Sequence, residues 1–220
     1  MVVLKYTPNK FENEYWEKNE QLCGIDEVGK GCLFGPLVFG CVILPQHHAP
    51  TFLIDSKLLT AEKRAVAATW IQKNCIYATT SIDPWIIDTY GINQSTIIAV
   101  KRLLHDMTEL TNKQIKLILT DHMHIGLTHI RNTPIISAPY GESWSASIAA
   151  ASIIAKVTRD RLMQKIAKLF PRFAVEKNKG YGTKLHINGA RDSGLSILHR
   201  KTYCKNLIHT NGRSKNAKLL

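Results

Sequence analysis

Short apolar runs alternate with longer amphipathic stretches along most of the chain. Five runs rich in β-branched and aromatic residues predict strands, at residues 22–26, 37–44, 75–82, 115–120 and 133–138. Three stretches with apolar residues at helical spacing predict helices, at residues 61–74, 84–107 with a break at Gly91, and 145–170. A glycine-rich turn joins the first two strands, which we expect to be antiparallel. Strands followed by alternating strands and helices are typical of an α/β fold with one antiparallel edge.

The length of 220 residues allows one good hydrophobic core with an appendage. We expect an N-terminal segment over residues 1–20, a main domain over residues 21–170, and a basic helical extension over residues 171–220 that packs on the same domain. No apolar run reaches the roughly 18 to 20 residues of a membrane span. Nor does the start carry the apolar segment of a signal peptide.

The net charge indicates the kind of binding partner, and the cysteine pattern indicates the cellular compartment. A formal net charge of +12 favours a polyanionic partner such as nucleic acid, because clustered lysines and arginines release counterions from phosphates. A basic host proteome is the simpler alternative. Five widely spaced cysteines without a Cys-x-x-Cys pair argue against a disulfide framework and against a zinc site. We therefore expect reduced thiols in a cytoplasmic monomer.

Adjacent carboxylates end the first predicted strand. Asp26 and Glu27 are followed at once by a turn that contains Gly29, Lys30 and Gly31. Neighbouring strand residues point to opposite faces, so both acids reach one metal ion only if the pleat breaks here. The two glycines make such a break plausible. An ordinary strand with one solvated acid and a tight turn is the simpler alternative.

Two further carboxylates lie near the ends of predicted elements, Asp121 after the fourth strand and Glu142 before the long helix. Hydrolases that use two metal ions need about four such oxygen donors, which select Mg²⁺ or Mn²⁺ over zinc. Alternatively, Asp121 caps a turn and Glu142 is a solvated loop acid. Histidines at positions 122, 124 and 129 lie nearby, but their spacing completes no recognisable zinc site.

Six blocks of sequence point in the same direction. Residues 22–36 read Leu-Cys-Gly-Ile-Asp-Glu-Val-Gly-Lys-Gly-Cys-Leu-Phe-Gly-Pro, and residues 147–160 read Ser-Ile-Ala-Ala-Ala-Ser-Ile-Ile-Ala-Lys-Val-Thr-Arg-Asp. The others are Asp-Ser-Lys-Leu-Leu-Thr at 55–60, Leu-Thr-Asp at 119–121, Lys-Gly-Tyr-Gly-Thr-Lys-Leu-His at 179–186 and His-Arg-Lys-Thr-Tyr at 199–203. In content and order, these blocks resemble the ribonuclease HII family over nearly the whole chain.

The resemblance implies a fold and an activity. The fold is a ribonuclease H-like mixed five-stranded sheet flanked by helices, with a C-terminal helical extension. The activity is that of an endoribonuclease that cuts the RNA strand of RNA–DNA hybrids and nicks duplex DNA at embedded ribonucleotides. Two-metal-ion hydrolysis with Mn²⁺ or Mg²⁺ leaves 3′-OH and 5′-phosphate ends.

The resemblance also implies roles for individual residues. Asp26, Glu27, Asp121 and Glu142 match the metal ligands, with glutamate at position 142 where the family most often has aspartate. Gly29, Lys30 and Gly31 match the turn that contacts the 2′-OH and its phosphates, and Tyr181 matches the tyrosine that stacks under the sugar. At position 30 the family has arginine, and lysine cannot form the same two-point phosphate bond.

Several basic residues are candidate clamps for the nucleic-acid backbone, although any of them can be an ordinary surface charge: Lys57, Lys156, Lys179, Lys184 and Arg200. Similarly, Tyr181 can be a packing aromatic.

Two other readings stay open. Ribonuclease HIII shares the Asp-Glu-Asp-Glu ligand set, but the chain has little room for that family's N-terminal substrate domain. A non-catalytic nucleic-acid-binding module on the same scaffold is the second, since fold does not fix function.

Overall fold

A mixed sheet of six strands runs through the computed structural model, which describes residues 9–123, 128–130 and 132–208. The strands are β1 (Gln21–Val28), β2 (Leu37–Ile43), β3 (Ile76–Ile82), β4 (Ile115–Asp121), β5 (His129–Ile130) and β6 (Thr133–Ala138). The order across the sheet is β3-β2-β1-β4-β6-β5, with β1, β4 and β6 parallel and the other pairings antiparallel. The expected number of five strands is wrong, because β5 has two residues and is too short to show a periodicity.

Seven helices surround the sheet in the described part of the chain. They are α1 (Lys10–Glu17), α2 (Ala61–Asn74), α3 (Pro84–Leu110), α4 (Ala146–Ala167), α5 (Val175–Asn178), α6 (Lys184–Ser193) and α7 (Lys205–Ile208). The hydroxyl of Thr60 caps α2 by accepting from the backbone N–H of Lys63. Gly91 interrupts α3 with φ 75° and ψ 165°, so the predicted break is confirmed.

The helices cover both faces of the sheet. One face packs against α3 through a cluster that includes Ile25, Phe39 and Leu103, all fully buried. The other face packs against α4, which approaches the strands closely because small residues meet there. A Cβ atom added to Gly24 would lie 2.2 Å from the carbonyl carbon of Ser147 on α4. This close approach holds the start of α4 against the middle of β1.

The buried carboxylate of Glu12 joins the N-terminal helix α1 to the start of α4. Oε1 of Glu12 accepts from the hydroxyl of Ser145 at 2.6 Å and from the backbone N–H of Ser147 at 2.9 Å. The hydroxyl of Ser145 in turn caps α4 by accepting from the backbone N–H of Ile148. Glu12 therefore satisfies a helix N-terminus more than 130 residues away, a partnership that no local pattern indicates.

Replacing Glu12 with alanine is expected to lower the free energy of unfolding by about 2 kcal/mol, because one buried N–H and one buried hydroxyl lose their acceptor. Urea denaturation of Glu12→Ala measures this loss. Glu17→Ala, at the exposed end of the same helix, is the matched control and is expected to be nearly neutral. Equal losses in the two variants would contradict the role assigned to Glu12.

Candidate active site

A cleft of about 360 Å³ opens where β1 and β4 end. The two strands are parallel, so their carboxyl ends lie at the same edge of the sheet and the loops that follow diverge there. The register pairs Ile25 with Thr120, which places Asp26 and Asp121 next to one another one residue further along. The lining includes most of the predicted site residues: Asp26, Glu27, Gly29, Lys30, Gly31, Lys57, Asp121, Lys156 and Tyr181.

The pleat of β1 is regular through the two adjacent acids, so the expected break is wrong. Asp26, Glu27 and Val28 pair in unbroken succession with Gly40, Phe39 and Val38 of β2. Leu22 and Gly24 face α4, and alternation places Asp26 on that same face and Glu27 on the other. The two carboxylates therefore border the cleft from opposite sides of the strand.

Asp26 is a buried acid among other acids. Burial, together with the nearby carboxylates of Glu27 and Glu142, raises the pKa of Asp26 well above its usual value. Two contacts partly offset this rise in pKa: the backbone N–H of Glu27 donates to Oδ1 of Asp26 at 2.8 Å, and the Ser152 hydroxyl lies nearby. The local electrostatics therefore favour a positive charge near Asp26.

Glu27 pairs with the lysine of the glycine turn. Nζ of Lys30 lies 3.0 Å from Oε1 of Glu27. The other carboxylate oxygen, Oε2, is buried and accepts no hydrogen bond within the described residues. Burial raises the pKa of Glu27, although Lys30 opposes the shift. An orphaned anionic oxygen of this kind is a candidate metal ligand.

The loop before α4 brings the last two acids together. The backbone N–H of Gly141 donates to Oδ1 of Asp121 at 2.8 Å, so Asp121 does cap a turn. Glu142, in the same 3-10 turn, is 5% exposed, which rules out the alternative of a solvated loop acid. Burial raises the pKa of Glu142, and the Lys57 ammonium lies 3.6 Å from its Oε1.

Two serines join these acids and were missed in the sequence. The hydroxyl of Ser152 donates to Oε1 of Glu142 at 2.8 Å, and it also lies close to the carboxylate of Asp26. Ser56 lies 2.9 Å from Ser152, oxygen to oxygen, and both side chains are buried. The signal that could have identified Ser152 is a serine on the buried face of an alanine-rich helix, because a buried hydroxyl needs a hydrogen-bond partner.

The donor set fits a divalent cation. The four carboxylates Asp26, Glu27, Asp121 and Glu142 supply hard oxygen ligands, and for three of them burial raises the pKa. No group of three or more His, Cys, Asp or Glu side chains among the described residues already forms a compact ligand shell. Lys30 and Lys57 instead partner Glu27 and Glu142, as expected of acids that need a nearby positive charge.

Two buried arginines support the glycine turn from below. Arg200 is fully buried and donates to the carbonyl oxygens of Lys30 at 2.8 Å and Gly35 at 3.1 Å. Arg159 of α4 is also fully buried and donates to the carbonyl oxygens of Pro36 and Lys179. The expectation that Arg200 clamps a phosphate is therefore not met, because its guanidinium is enclosed and bonded to backbone.

The remaining predicted residues differ in exposure. Gly29 has φ +98° and is buried, and a Cβ there would lie 2.3 Å from Nε of Arg159, whereas a Cβ on Gly31 would meet nothing within 4 Å, so the turn faces open space at Gly31. Tyr181 is 45% exposed and borders the cleft. Among the lysines, Lys156 pairs with Asp160 at 2.8 Å and Lys179 donates to the carbonyl of Glu176. Exposed Lys184 begins α6 and does not line the cleft.

The histidines after β4 form no metal site within the described residues. His122 borders the cleft with φ +39°, and the ring of His129 lies 3.0 Å from the Thr128 hydroxyl. His124 lies outside the described residues.

The sequence is similar to those of known proteins over most of its length. The sequence model of ribonuclease HII matches residues 23–206. The chain belongs to the ribonuclease HII family. A ribonuclease HII from Caldanaerobacter subterraneus subsp. tengcongensis is 39% identical over 200 residues, which cover 90% of this chain and 80% of the relative. The chain is therefore a metal-dependent ribonuclease H, a hydrolase, and the reading as a non-catalytic module is set aside.

Solved structures confirm the ribonuclease H-like fold. The ribonuclease H2 of Pyrococcus horikoshii superposes with a TM-score of 0.68 at 22% identity, covering 86% of this chain and 98% of that one. Bst-RNase HIII in complex with Mn²⁺ superposes with a TM-score of 0.70 at 20% identity, covering 89% and 71%. The sequence match to ribonuclease HII decides against the ribonuclease HIII reading. A divalent cofactor, Mn²⁺ or Mg²⁺, agrees with the ribonuclease H assignment, and the Bst-RNase HIII structure holds Mn²⁺.

Among the described residues, no helix combines the length and the hydropathy that crossing a bilayer requires.

Proposed function

We propose that the cleft at the ends of β1 and β4 hydrolyses the RNA strand of RNA–DNA hybrids and nicks duplex DNA at embedded ribonucleotides, leaving 3′-OH and 5′-phosphate ends. The observation that carries the proposal is the gathering of four acids at one edge of the sheet: Asp26, Glu27 and Asp121 line the cleft, and Glu142 lies beside it in contact with the lining residues Ser152 and Lys57. Burial raises the pKa of Asp26, Glu27 and Glu142. The ribonuclease HII family supplies the reaction class, and the cleft supplies the residues that perform it.

These four carboxylates are the proposed metal ligands. When bound, divalent cations supply the Lewis acidity that activates water and neutralises the leaving oxygen. The Ser152 hydroxyl donates to Glu142 and lies beside Asp26, so these two acids are already close to one another. Lys30 and Lys57 are the residues that shift, since each is a flexible ammonium with an exposed side chain. Released from Glu27 and Glu142, both ammonium groups become available to substrate phosphates.

Substrate reading falls to the glycine turn and Tyr181. Without a side chain at position 31, this part of the turn is open to a phosphate or a 2′-OH. Arg200 holds the turn by donating to the carbonyl oxygen of Lys30, and the side chain of Arg159 packs against Gly29, so both place positive charge next to the turn. Lys30 can contact a phosphate at one point only. The backbone of the turn therefore contributes more to substrate recognition than it would if position 30 were arginine.

Replacing Tyr181 with alanine is expected to reduce kcat/KM on a duplex with one ribonucleotide about tenfold more than on a uniform hybrid. Stacking under the junction sugar matters most where a single 2′-OH is read. Parallel kinetics on the two substrates measure the ratio, with Tyr90→Ala, an exposed tyrosine of α3, as control. Equal losses on both substrates would make Tyr181 a packing residue.

Affinity for hybrid is expected to fall steeply with salt, and Lys184→Ala is expected to reduce the log–log slope by about one unit. Lys184 is exposed at the first turn of α6, close in sequence to Tyr181. Lys113→Ala is the matched control, because Lys113 precedes β4 at the end of the sheet opposite the cleft. Binding is measured in EDTA to prevent cleavage. A slope that changes as much or more in Lys113→Ala than in Lys184→Ala would place the binding face elsewhere.

A cleavage assay tests the proposed function. The purified chain is incubated with a duplex that bears one ribonucleotide, with a uniform hybrid and with all-DNA duplex, each in Mg²⁺, Mn²⁺ or EDTA. The proposal expects cleavage of the first two in either metal, none in EDTA, and 5′-phosphate products. Cleavage of the all-DNA duplex, or no cleavage of either ribonucleotide substrate, would overturn it.

We also propose that the enzyme acts as a monomer in the cytoplasm. All five cysteines are unpaired and four are buried, which suits a reducing compartment. Sedimentation at micromolar concentration tests the monomer, with a dimer as the contrary result.

A further inference from the structure

Two buried histidines of the C-terminal extension have no part in the function proposed above. His186 on α6 is 0% exposed, and His199, which bridges to Phe34, is 1% exposed. Both rings lie against the rings of Phe34 and Phe173. Polar rings in such an apolar setting must satisfy their nitrogens with one another or with backbone.

A continuous chain of hydrogen bonds runs through the two rings. The backbone N–H of Ser196 donates to Nδ1 of His199 at 2.9 Å. Nε2 of His199 lies 3.2 Å from Nε2 of His186, and Nδ1 of His186 lies 2.9 Å from the carbonyl oxygen of Tyr181. The chain thus begins at a backbone donor and ends at a backbone acceptor.

The two ends determine both tautomers. Because a backbone N–H can only donate, Nδ1 of His199 carries a lone pair and its proton is on Nε2. That proton points at Nε2 of His186, whose own proton must therefore be on Nδ1, facing the carbonyl. One added proton on either ring sets two donors against one another, so all three bonds exist only while both rings are neutral. Burial agrees, since it lowers the pKa of His199 to about 4 and also lowers that of His186.

The chain ends on the residue proposed to read the substrate sugar. The Tyr181 carbonyl accepts from His186 and also from the backbone N–H of Thr183 at 2.8 Å. The backbone N–H of Tyr181 donates to the carbonyl of Asn178 at 3.0 Å. Both peptide groups that flank its Cα are therefore fixed, which leaves the half-exposed ring to rotate only about its own side-chain bonds.

We infer that His186 and His199 are positioning residues that hold the backbone of Tyr181 so that its ring meets the sugar at the RNA-to-DNA junction. The inference rests on the proposed role of Tyr181. Its consequence is specific, because loss of the hydrogen-bond chain affects discrimination of a single ribonucleotide more than hydrolysis itself.

The wild-type protein provides the first test, which depends on no variant folding. Long-range ¹H–¹⁵N correlation spectra at pH 7.5 distinguish the imidazole tautomers. The expected result is the Nδ1–H form for His186 and the Nε2–H form for His199, both with slowly exchanging protons. A Nδ1–H form for His199, or a charged imidazolium for either ring at that pH, would overturn the inference.

Graded variants at position 186 provide the second test. His186→Phe keeps a planar aromatic ring, slightly larger than imidazole, and removes both hydrogen bonds, whereas the side-chain amide of His186→Asn can still donate to the Tyr181 carbonyl. The Phe variant is expected to lose about tenfold in the single-ribonucleotide to uniform-hybrid ratio of kcat/KM, the equivalent of one buried hydrogen bond. The Asn variant is expected to recover most of that ratio. His105→Phe, on the exposed face of α3, is the control.

A double variant separates the positioning role of His186 from the stacking role of Tyr181. In a Tyr181→Ala background, His186→Phe is expected to change the ratio no further, because the ring it positions is gone. A further tenfold loss there would mean that the histidines act on another residue. An unchanged ratio in Tyr181→Ala alone would instead refute the role proposed for Tyr181, whatever the tautomers show.

Discussion

Asp26→Asn is expected to reduce turnover by about a thousandfold or more while leaving the protein folded. Asparagine keeps the shape of aspartate, and its amide oxygen can still accept from the Glu27 backbone N–H. What it lacks is the charge that a divalent cation requires. Because the pKa of Asp26 is raised well above its usual value by burial and by neighbouring carboxylates, loss of this charge is expected to maintain or raise the free energy of unfolding.

The same reasoning applies to Asp121→Asn, whose amide oxygen still accepts from Gly141. Single-turnover cleavage and urea denaturation are measured on both variants, with Asp106→Asn on the exposed face of α3 as the matched control. Turnover within a few-fold of wild type in either active-site variant would remove that acid from the metal ligands. A collapse of stability would show that the acid is structural, contrary to the electrostatics of the cleft.

Glu142→Gln is expected to reduce turnover about a hundredfold in both Mg²⁺ and Mn²⁺. Glutamine can keep the hydrogen bond from Ser152, but it loses the charge that faces Lys57. Glu142→Asp keeps the charge, withdraws it by one methylene and is expected to remain active. Because Mg²⁺ demands nearly ideal octahedral geometry at short distance, the longer glutamate suits Mn²⁺ better. The Mn²⁺-to-Mg²⁺ activity ratio is therefore expected to fall in Glu142→Asp.

Titration of each metal against wild type, Glu142→Gln and Glu142→Asp tests this expectation. Glu176→Gln, which changes an exposed glutamate of α5, is the control. Wild-type rates in Glu142→Gln would leave the fourth ligand unidentified, although Glu142 is buried. An unchanged metal ratio in Glu142→Asp would mean that side-chain length at position 142 has no influence on the choice of ion.

The strands and the cleft edge were predictable because their signals are local. Apolar runs set the strands, and the acids that end two parallel strands had to meet at one edge of the sheet. Arg200 was different. Nothing in its neighbourhood in sequence says that its guanidinium turns inward to bond the carbonyls of Lys30 and Gly35, which lie 165 to 170 residues away.

Buried polar partnerships were the least predictable part of the site. Glu12 satisfies the start of α4, more than 130 residues away, and Ser152 meets Ser56, 96 residues away in sequence. A hydrophobic pattern reports which face of a helix is covered, but it cannot report which buried polar atoms meet across that face. The histidine pair was visible only as two motif residues, and its directional bonding depends on two backbone groups, the carbonyl of Tyr181 and the N–H of Ser196.

A calorimetric titration of Mn²⁺ tests most directly whether the four carboxylates form a metal site. Wild type, the double variant Asp26→Asn with Asp121→Asn, and the control Asp106→Asn are titrated without nucleic acid at pH 7.5. The structure predicts saturable binding to wild type and to Asp106→Asn, and at least a tenfold weaker affinity in the double variant. Equal Mn²⁺ affinity in all three proteins would contradict the assignment of the metal to this cleft.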